Sequence, residues 1–406
     1  MKNLADHDSF VDGIPHDTFT QMRRDAPVHW TDAFAGNKGF WSLTRYADIM
    51  AAQKDPATFS SAQGIRIEDQ SHDEYMSRRT FQETDPPEHS ATRRAVNPVF
   101  AKPVIARFEP LIQELARDIV GQALDHAEFD GIDLIAKRLP MLMLGRILGV
   151  PEDDLDWLVE RGDALIGNTD PDFTTTVIDK VDTDAYRMMP FRSPAGVELY
   201  DYADTILDGS RQVDGDGILA RVLRSEDGAM TPQDFKNFFC LLVAAGNDTT
   251  RYSIAMALHL MTRQPDLLAQ LQTGKVWDTC ADEIIRLASP TLHFRRTATR
   301  DIDLHGQTIR AGDKVLMWFA SGSRDETVFD NPHSAQLDRS PNRHLAFGQG
   351  GPHVCLGMWL AKLELRCILQ ELAGRITRLD AVSEPTWTRS NFICGVKSLT
   401  LRPTLK

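Results

Sequence analysis

Apolar residues recur at helical spacing along most of the chain, and only late does the pattern change to the alternation of strands. Pro110 to Ala127 repeats apolar positions three and four residues apart. Leu139 to Gly149 does the same, and Gly149-Val150-Pro151-Glu152-Asp153 then stops one helix and starts another. Thr231-Pro232-Gln233-Asp234 predicts a helix start, with Thr as N-cap, Pro at the first helical position and an acid three residues after the cap. From there the pattern runs unbroken to Gln264-Pro265, long for a globular helix. Leu267 to Leu271 and Trp277 to Ala288 continue the helical character. Thr297 to Leu304, Gln307 to Ile309 and Lys314 to Trp318 alternate around His305-Gly306 and Ala311-Gly312-Asp313, predicting a small antiparallel meander. Ser323 to Gly351 is rich in Asp, Asn, Pro and Gly, and a loop that long inside a compact domain is usually functional. A helix from Leu356 to Ile376 and a hairpin-like tail to Leu401 complete the chain. The pattern predicts a mainly α fold with small β-sheets. No linker, composition shift or repeat divides it, so 1–406 reads as one domain.

Composition narrows the class without choosing a function. The 406 residues are 42% hydrophobic and 25% charged, with 45 Lys+Arg against 58 Asp+Glu and a net charge of −13. These values exclude a disordered, collagen-like or disulfide-scaffold chain, and the acidic balance speaks against a nucleic-acid binder. The N-terminus has no apolar signal core, and the longest apolar run, Phe238 to Ala245, falls far short of the roughly 18 residues that cross a bilayer. Five scattered cysteines, an odd number, suit a reducing compartment. The expectation is a cytoplasmic protein without a membrane anchor.

Four segments carry candidate chemistry. Phe347-Gly348-Gln349-Gly350-Gly351-Pro352-His353-Val354-Cys355-Leu356-Gly357 lets backbone approach a flat object and places Cys355 just before a helix, whose dipole favours a thiolate. Such a sulfur is a metal ligand or a nucleophile, and the segment alone does not choose. Ala244-Ala245-Gly246-Asn247-Asp248-Thr249-Thr250-Arg251 sets a glycine, an acid and hydroxyls inside an apolar helix, as a proton relay or a kinked packing helix would. Glu283-Ile284-Ile285-Arg286 is an acid–base pair on one helix face. Asp85 to Arg93 puts His89 and Arg93 one helical turn apart, an arrangement suited to an anionic ligand or to a solvated face.

In this combination and order the four segments resemble the cytochrome P450 family of heme-thiolate monooxygenases, from about Trp30 to the C-terminus. The resemblance implies the family fold, heme b as cofactor and Cys355 as the axial thiolate of its iron. It makes Gly246, Asp248 and Thr249 the oxygen-binding helix, with Asp248 and Thr249 as its acid–alcohol pair. Glu283 and Arg286 become the structural Glu-x-x-Arg, with Arg339 as their third partner. His89, Arg93, Arg296 and His353 become propionate contacts. Leu242, Val243, Leu292, Phe294, Phe392 and Ile393 become substrate-pocket candidates. Phe347 stands eight residues before Cys355 where the common pattern has seven, so one residue has been added within Gln349 to Pro352. A similar longer loop occurs in bacterial relatives that oxidise sterol side chains and methyl-branched lipids.

The function implied is insertion of one oxygen atom from O2 into an apolar lipid-, sterol- or terpenoid-like molecule. A separate ferredoxin and ferredoxin reductase are expected to supply the electrons. Three readings compete: a peroxide-driven heme peroxygenase, a heme-binding sensor or carrier, and a non-heme hydrolase or transferase with Cys355 as nucleophile.

Overall fold

The structure, a computed structural model, describes residues 1–224 and 230–406. Its centre is the helix Pro232–Arg263, started as the sequence predicts: Thr231 accepts from the Asp234 N–H (3.1 Å), and the Asp234 carboxylate accepts from the Thr231 N–H (3.2 Å). Helices Arg138–Leu148, Leu155–Ile166, Pro194–Leu207 and Cys280–Ala288 pack around it. Burial on most of its circumference explains why apolar residues cover more than one stripe of this helix. One apolar cluster joins Ile112, Ile119, Ile254, Leu258, Ile284 and Ile368; a second joins Leu148, Leu158, Leu199, Phe235 and Phe239. The two meet on the central helix.

Other helices follow the predicted pattern closely. Pro110 to Ala127 corresponds to Glu109–Leu124, and Gly149 ends Arg138–Leu148 at φ +80°, a conformation that favours glycine. The last helix is Met358–Arg375. The predicted meander does not form as such. Lys314–Trp318 pairs antiparallel with His293–Ala298 inside a five-stranded sheet, while Ile302–Leu304 and Gln307–Ile309 make a separate hairpin. The break lies at the turn after Ala298, where the Ala311 N–H donates to Asp301 (2.9 Å) and ties the hairpin's base. His293–Ala298 escapes the apolar pattern because its buried positions include Arg295 and Arg296. The sheet also takes in Phe40–Leu43, parallel to Lys314–Trp318, and Val28–Thr31. In the tail, Ile376–Ala381 pairs antiparallel with Thr400–Leu405. Among the described residues no helix is long and apolar enough to cross a membrane.

Candidate functional site

The late loop and the central helix face each other across a cavity of about 1630 Å3, its open mouth included. Cys355 lies on one wall; Ala245, Gly246 and Thr249 lie on the other. The Phe347 carbonyl accepts from the Cys355 N–H (2.9 Å), which closes the loop at its neck. The added residue is taken up between, where Gly350 (φ +106°) lies against Met50 and Gly351 presses on the helix Tyr46–Lys54. A side chain on Gly351 would come within 2.0 Å of the Gln53 carbonyl oxygen. Phe347 therefore keeps a place on the cavity wall despite the longer spacing.

Cys355 is the one exposed cysteine, open to the cavity; Cys240, Cys280, Cys367 and Cys394 are buried and all five are free. The dipole expectation needs correction. Although open to the cavity, the Cys355 thiol is enclosed by its walls, and this desolvation raises it above its ordinary value, opposed by the Gly357 and Met358 N–H groups and Arg93. A thiol held protonated is a poor nucleophile, and His353 Nε2 lies 3.2 Å from Ser61 Oγ. Coordination to a metal would remove the proton. The site favours ligand over nucleophile.

Of the pocket candidates, Leu242, Phe294, Phe392 and Ile393 line the cavity. Val243 and Leu292 do not. One helical step turns Val243 from the cavity to Gly162 on the neighbouring helix, and Leu292 packs with Phe10, Trp318 and Cys394. Gly246 also departs from expectation: a Cβ there would meet Leu144 Cδ1 at 2.7 Å. Its missing side chain lets Leu144 approach, while Ala245 is the exposed residue of this turn. Sequence reasoning did not find Phe81, Phe100, Ile147 or Ile166, which reach the cavity from separate helices and loops.

The predicted propionate contacts converge. The His89 and His353 rings lie 4.1 Å apart. Both ring nitrogens of His89 and Nδ1 of His353 are buried without a hydrogen-bond partner. Arg296 donates only to the Arg295 carbonyl (2.8 Å), and Arg93 lines the cavity. Burial lowers His89 to about 4, helped by Arg93 and Arg296, and burial lowers Arg296 to about 10. The nearest acid, Asp85, is occupied by Ser60 and Ser61. Two guanidiniums and two imidazoles without ion-pair partners, Arg93 and His353 among them on the cavity wall, fit a buried dianion. With Cys355 opposite an apolar wall, the residues present fit heme.

Asp248 lies on the other side of the central helix, in a buried network that the sequence did not disclose. Arg251 bridges Asp248 and Asp163, 2.7 Å from each. Lys137 reaches Asp163 (2.9 Å) and is 28% exposed, which leads the network to the surface. Burial pushes Asp248 up to about 8, and Asp163 adds to the rise. Asp163 itself is buried but held below its ordinary value by Arg251 and Lys137. Asp248 and Thr249 do not touch as a bonded pair: Thr249 donates to the Ala245 carbonyl (3.0 Å), and Asp248 accepts from Asn247 (3.2 Å).

Glu283 and Arg286 form a bidentate pair at 2.8 Å, both 0% exposed, and Arg339 joins them at 3.0 Å as expected. Asn342, unnoticed in the sequence, donates to the same carboxylate (2.9 Å). This cluster stands apart from the cavity and fastens the late loop to the helix Cys280–Ala288.

Known proteins are similar to this chain over nearly its full length. The family model "Cytochrome P450" matches residues 275–373. The protein named cytochrome P450 126 of Mycobacterium tuberculosis is 36% identical, over 98% of this chain and 96% of its own. A methyl-branched lipid omega-hydroxylase of Mycobacterium bovis is 32% identical, over 96% and 91%. The structure of a Mycobacterium marinum cytochrome P450 in complex with pseudoionone superposes with a TM-score of 0.86 at 32% identity, covering 95% of this chain and 94% of that one. With that identity over nearly the full length, a cysteine open to the cavity and a cation cluster fit for heme, the chain belongs to the cytochrome P450 family of heme-thiolate monooxygenases.

Proposed function

We propose that this chain, acting as one domain over 1–406, hydroxylates an apolar lipid-, sterol- or terpenoid-like molecule with O2. A cytoplasmic ferredoxin and its reductase deliver the electrons, and the five free cysteines support a reducing compartment. One oxygen atom enters a C–H bond of the substrate and the other leaves as water; two electrons and two protons balance the reaction. The observation that carries this reading is Cys355 on the wall of a largely apolar cavity that Arg93 and His353 also line, with the unpartnered His89 ring lying beside His353. The lipid hydroxylase relative and the pseudoionone complex support the substrate class.

Held through Cys355, with His89, Arg93, Arg296 and His353 on its propionates, heme b supplies the oxygen-activating redox chemistry. The protein contributes dryness, placement and protons. Leu242, Phe294, Phe392 and Ile393 exclude water and hold the apolar substrate. Thr249, Thr250 and Ser253 are the cavity-lining hydroxyl residues of this helix; Thr249 Oγ1, turned from the Ala245 carbonyl, offers a hydrogen bond inside the cavity. Asp248 holds a proton at neutral pH and delivers it by leaving Arg251 for the cavity side. Asp163 retains its own pair with Arg251 and so keeps the guanidinium compensated while Asp248 moves.

The test is reconstitution. Holoenzyme with ferredoxin, reductase, NADPH and isotopically labelled O2 should form hydroxylated product carrying one labelled oxygen from a panel of sterols, terpenoids and branched lipids. Turnover only with added hydrogen peroxide would favour the peroxygenase instead. A protein that stays colourless with ample heme would refute both.

A further inference from the structure

Beside the apolar cavity lies a second one of about 750 Å3, its open mouth included. Ile65, Gln82, Phe191, Leu241 and Phe392 line both, so the two cavities are neighbours kept apart by a layer of side chains. The wall of the second is mostly apolar, with Ile178 and Pro190 beside the shared residues. Its arginines are already bonded: Arg192 to Glu74 (3.1 Å), and Arg78 to Gln70 (2.9 Å) and the Arg187 carbonyl (2.9 Å). An apolar chain that passed the layer would find room there. What the layer is made of decides whether it passes.

Arg66 ties the layer together. Its guanidinium carbon lies 4.9 Å from the Phe191 ring centre and 5.3 Å from that of Phe392, so one cation bridges both rings. Glu68 meets the same guanidinium at Nε and Nη2, each at 3.2 Å, which balances the charge and fixes the plane. Phe392 is backed in turn by Phe294 (5.9 Å) and His293 (5.5 Å), both on the strand His293–Ala298. Phe191 is held differently. Its φ of +56° and the +50° of Arg192 put two consecutive non-glycine residues in the left-handed region. Such strain persists only where the surroundings over-determine it. Here the buried Asn168 side chain donates to the Phe191 carbonyl (2.6 Å), and Glu74 takes the Arg192 side chain. Ser193 then caps the next helix, accepting from the Ala195 N–H (3.3 Å). Backbone strain is thus maintained at a residue whose ring stands in the dividing layer.

We propose that Phe191, Arg66 and Phe392 form a partition that sets the length of substrate the enzyme accepts, because a chain lying beside Cys355 ends against it. The inference rests on the monooxygenase reading and narrows it, making Phe191 and Arg66 specificity-determining residues. Burying one more methylene tightens binding about fourfold, so an apolar chain gains with length until its end meets the partition. Further carbons must then fold back or displace a ring that its backbone and Arg66 hold in place, and the gain stops. Without the Phe191 ring, the second cavity becomes available and the gain continues.

The probes are N-alkylimidazoles from butyl to hexadecyl, titrated into holoenzyme by the Soret shift of imidazole ligation, which fixes one end of each chain at the iron. In wild type the affinity should climb with length and then break off. In Phe191→Ala the climb should continue, so that two methylenes past the wild-type break the variant binds about tenfold tighter than wild type. Homologues shorter than the break should bind both alike, which also certifies a folded cavity. Where Phe191→Ala loses heme, Phe191→Leu replaces it and should move the break by less. Phe191→Tyr, which keeps the ring, should keep the break. Arg66→Ala with Glu68→Gln removes the bridge without stranding a charge and should move the break as well. Phe100→Ala is the control: it removes an equal ring from the first cavity alone and should leave the break in place. The partition is overturned by a wild-type series without a break, by an unmoved break in the Phe191 or the Arg66–Glu68 variant, or by an equal move in Phe100→Ala. If no probe of any length moves the Soret band, the monooxygenase reading itself falls and the partition with it.

Discussion

Replacing Glu283 by Gln removes a charge and almost no volume, and the surroundings set the cost. Oε2 accepts from Arg286 Nε (2.8 Å), Arg339 Nε (3.0 Å) and Asn342 Nδ2 (2.9 Å). Oε1 accepts from Arg286 Nη2 (2.8 Å) and the Gln336 N–H (2.9 Å). An amide offers only one oxygen, so whichever way it turns, its own NH2 group faces donors. Arg286, 0% exposed, then keeps one bond to the amide oxygen and the carbonyls of Ser323, Pro332 and Ser334, with no counter-charge from position 283. Removing one side of a buried pair costs about 3–5 kcal/mol, and the opposed donors place Glu283→Gln at the upper end. Against a total stability of about 5–15 kcal/mol, that is a large fraction. Its neighbour Asp282 is the control: it pairs with His344 and Lys362 but is 21% exposed, so Asp282→Asn should cost about 1 kcal/mol. Urea unfolding of the holoprotein, followed by circular dichroism and the Soret band, measures both. A loss under about 1 kcal/mol in Glu283→Gln refutes the reasoning. If that variant yields no folded protein, Glu283→Leu with Arg286→Met and Arg339→Met should recover part of the yield, because no charge of the cluster is then stranded. No recovery would refute it equally.

Other changes test the site. Cys355→Ala should lose the red-shifted Soret band of the reduced carbon-monoxide complex, whereas Ala at the buried Cys240, Cys280, Cys367 or Cys394 should keep it. Thr249→Ala should bind substrate and consume reductant but release most of the oxygen as hydrogen peroxide; product fully coupled to reductant would remove Thr249 from the relay. Gly351→Ala forces a Cβ against the Gln53 carbonyl and should lower heme occupancy, read by pyridine hemochromogen assay; Gly374→Ala, with nothing within 4 Å, should not. Asp248 carries a pH signature. Its folded pKa, about 8, lies above the ordinary 3.8, so its contribution to stability is complete below 3.8 and is lost as pH rises through 8. Asp248→Asn should therefore gain stability relative to wild type across that window and slow turnover; a pH-independent difference in melting temperature would mean that Asp248 is not protonated in the native state.

The fold was legible wherever one element's own sequence decides it. Thr231, Pro232 and Asp234 start the central helix by contacts within four residues, and Gly149 stops its neighbour by its own φ. The sheet was not legible, because its register depends on partners far away: Phe40–Leu43 runs parallel to Lys314–Trp318, and no local pattern announces that pairing. His293–Ala298 was misplaced for a chemical reason. Two of its inward residues are arginines, and a strand that presents cations to a buried site does not alternate as an ordinary half-buried strand does.

The site divides along the same line. Cys355, Thr249 and the Glu283–Arg286 pair could be singled out because each stands among sequence neighbours unusual for a packed helix or loop, while their roles came through the resemblance. Arg339 could be added only through the resemblance, and Asn342 not at all. Asp248 marks the limit. Its sequence context suggests a relay, but what controls its proton is Asp163, eighty-five positions earlier in the chain, sharing Arg251 with it. Two carboxylates on one buried guanidinium cannot both ionise without leaving a negative charge that Lys137, partly exposed, offsets only from the far side. Asp163, bonded to both cations, takes the charge, and Asp248 keeps the proton. A residue's identity gives it the capacity to carry a proton; the pairing across the fold determines that it is Asp248, on the helix that walls the cavity, which carries it.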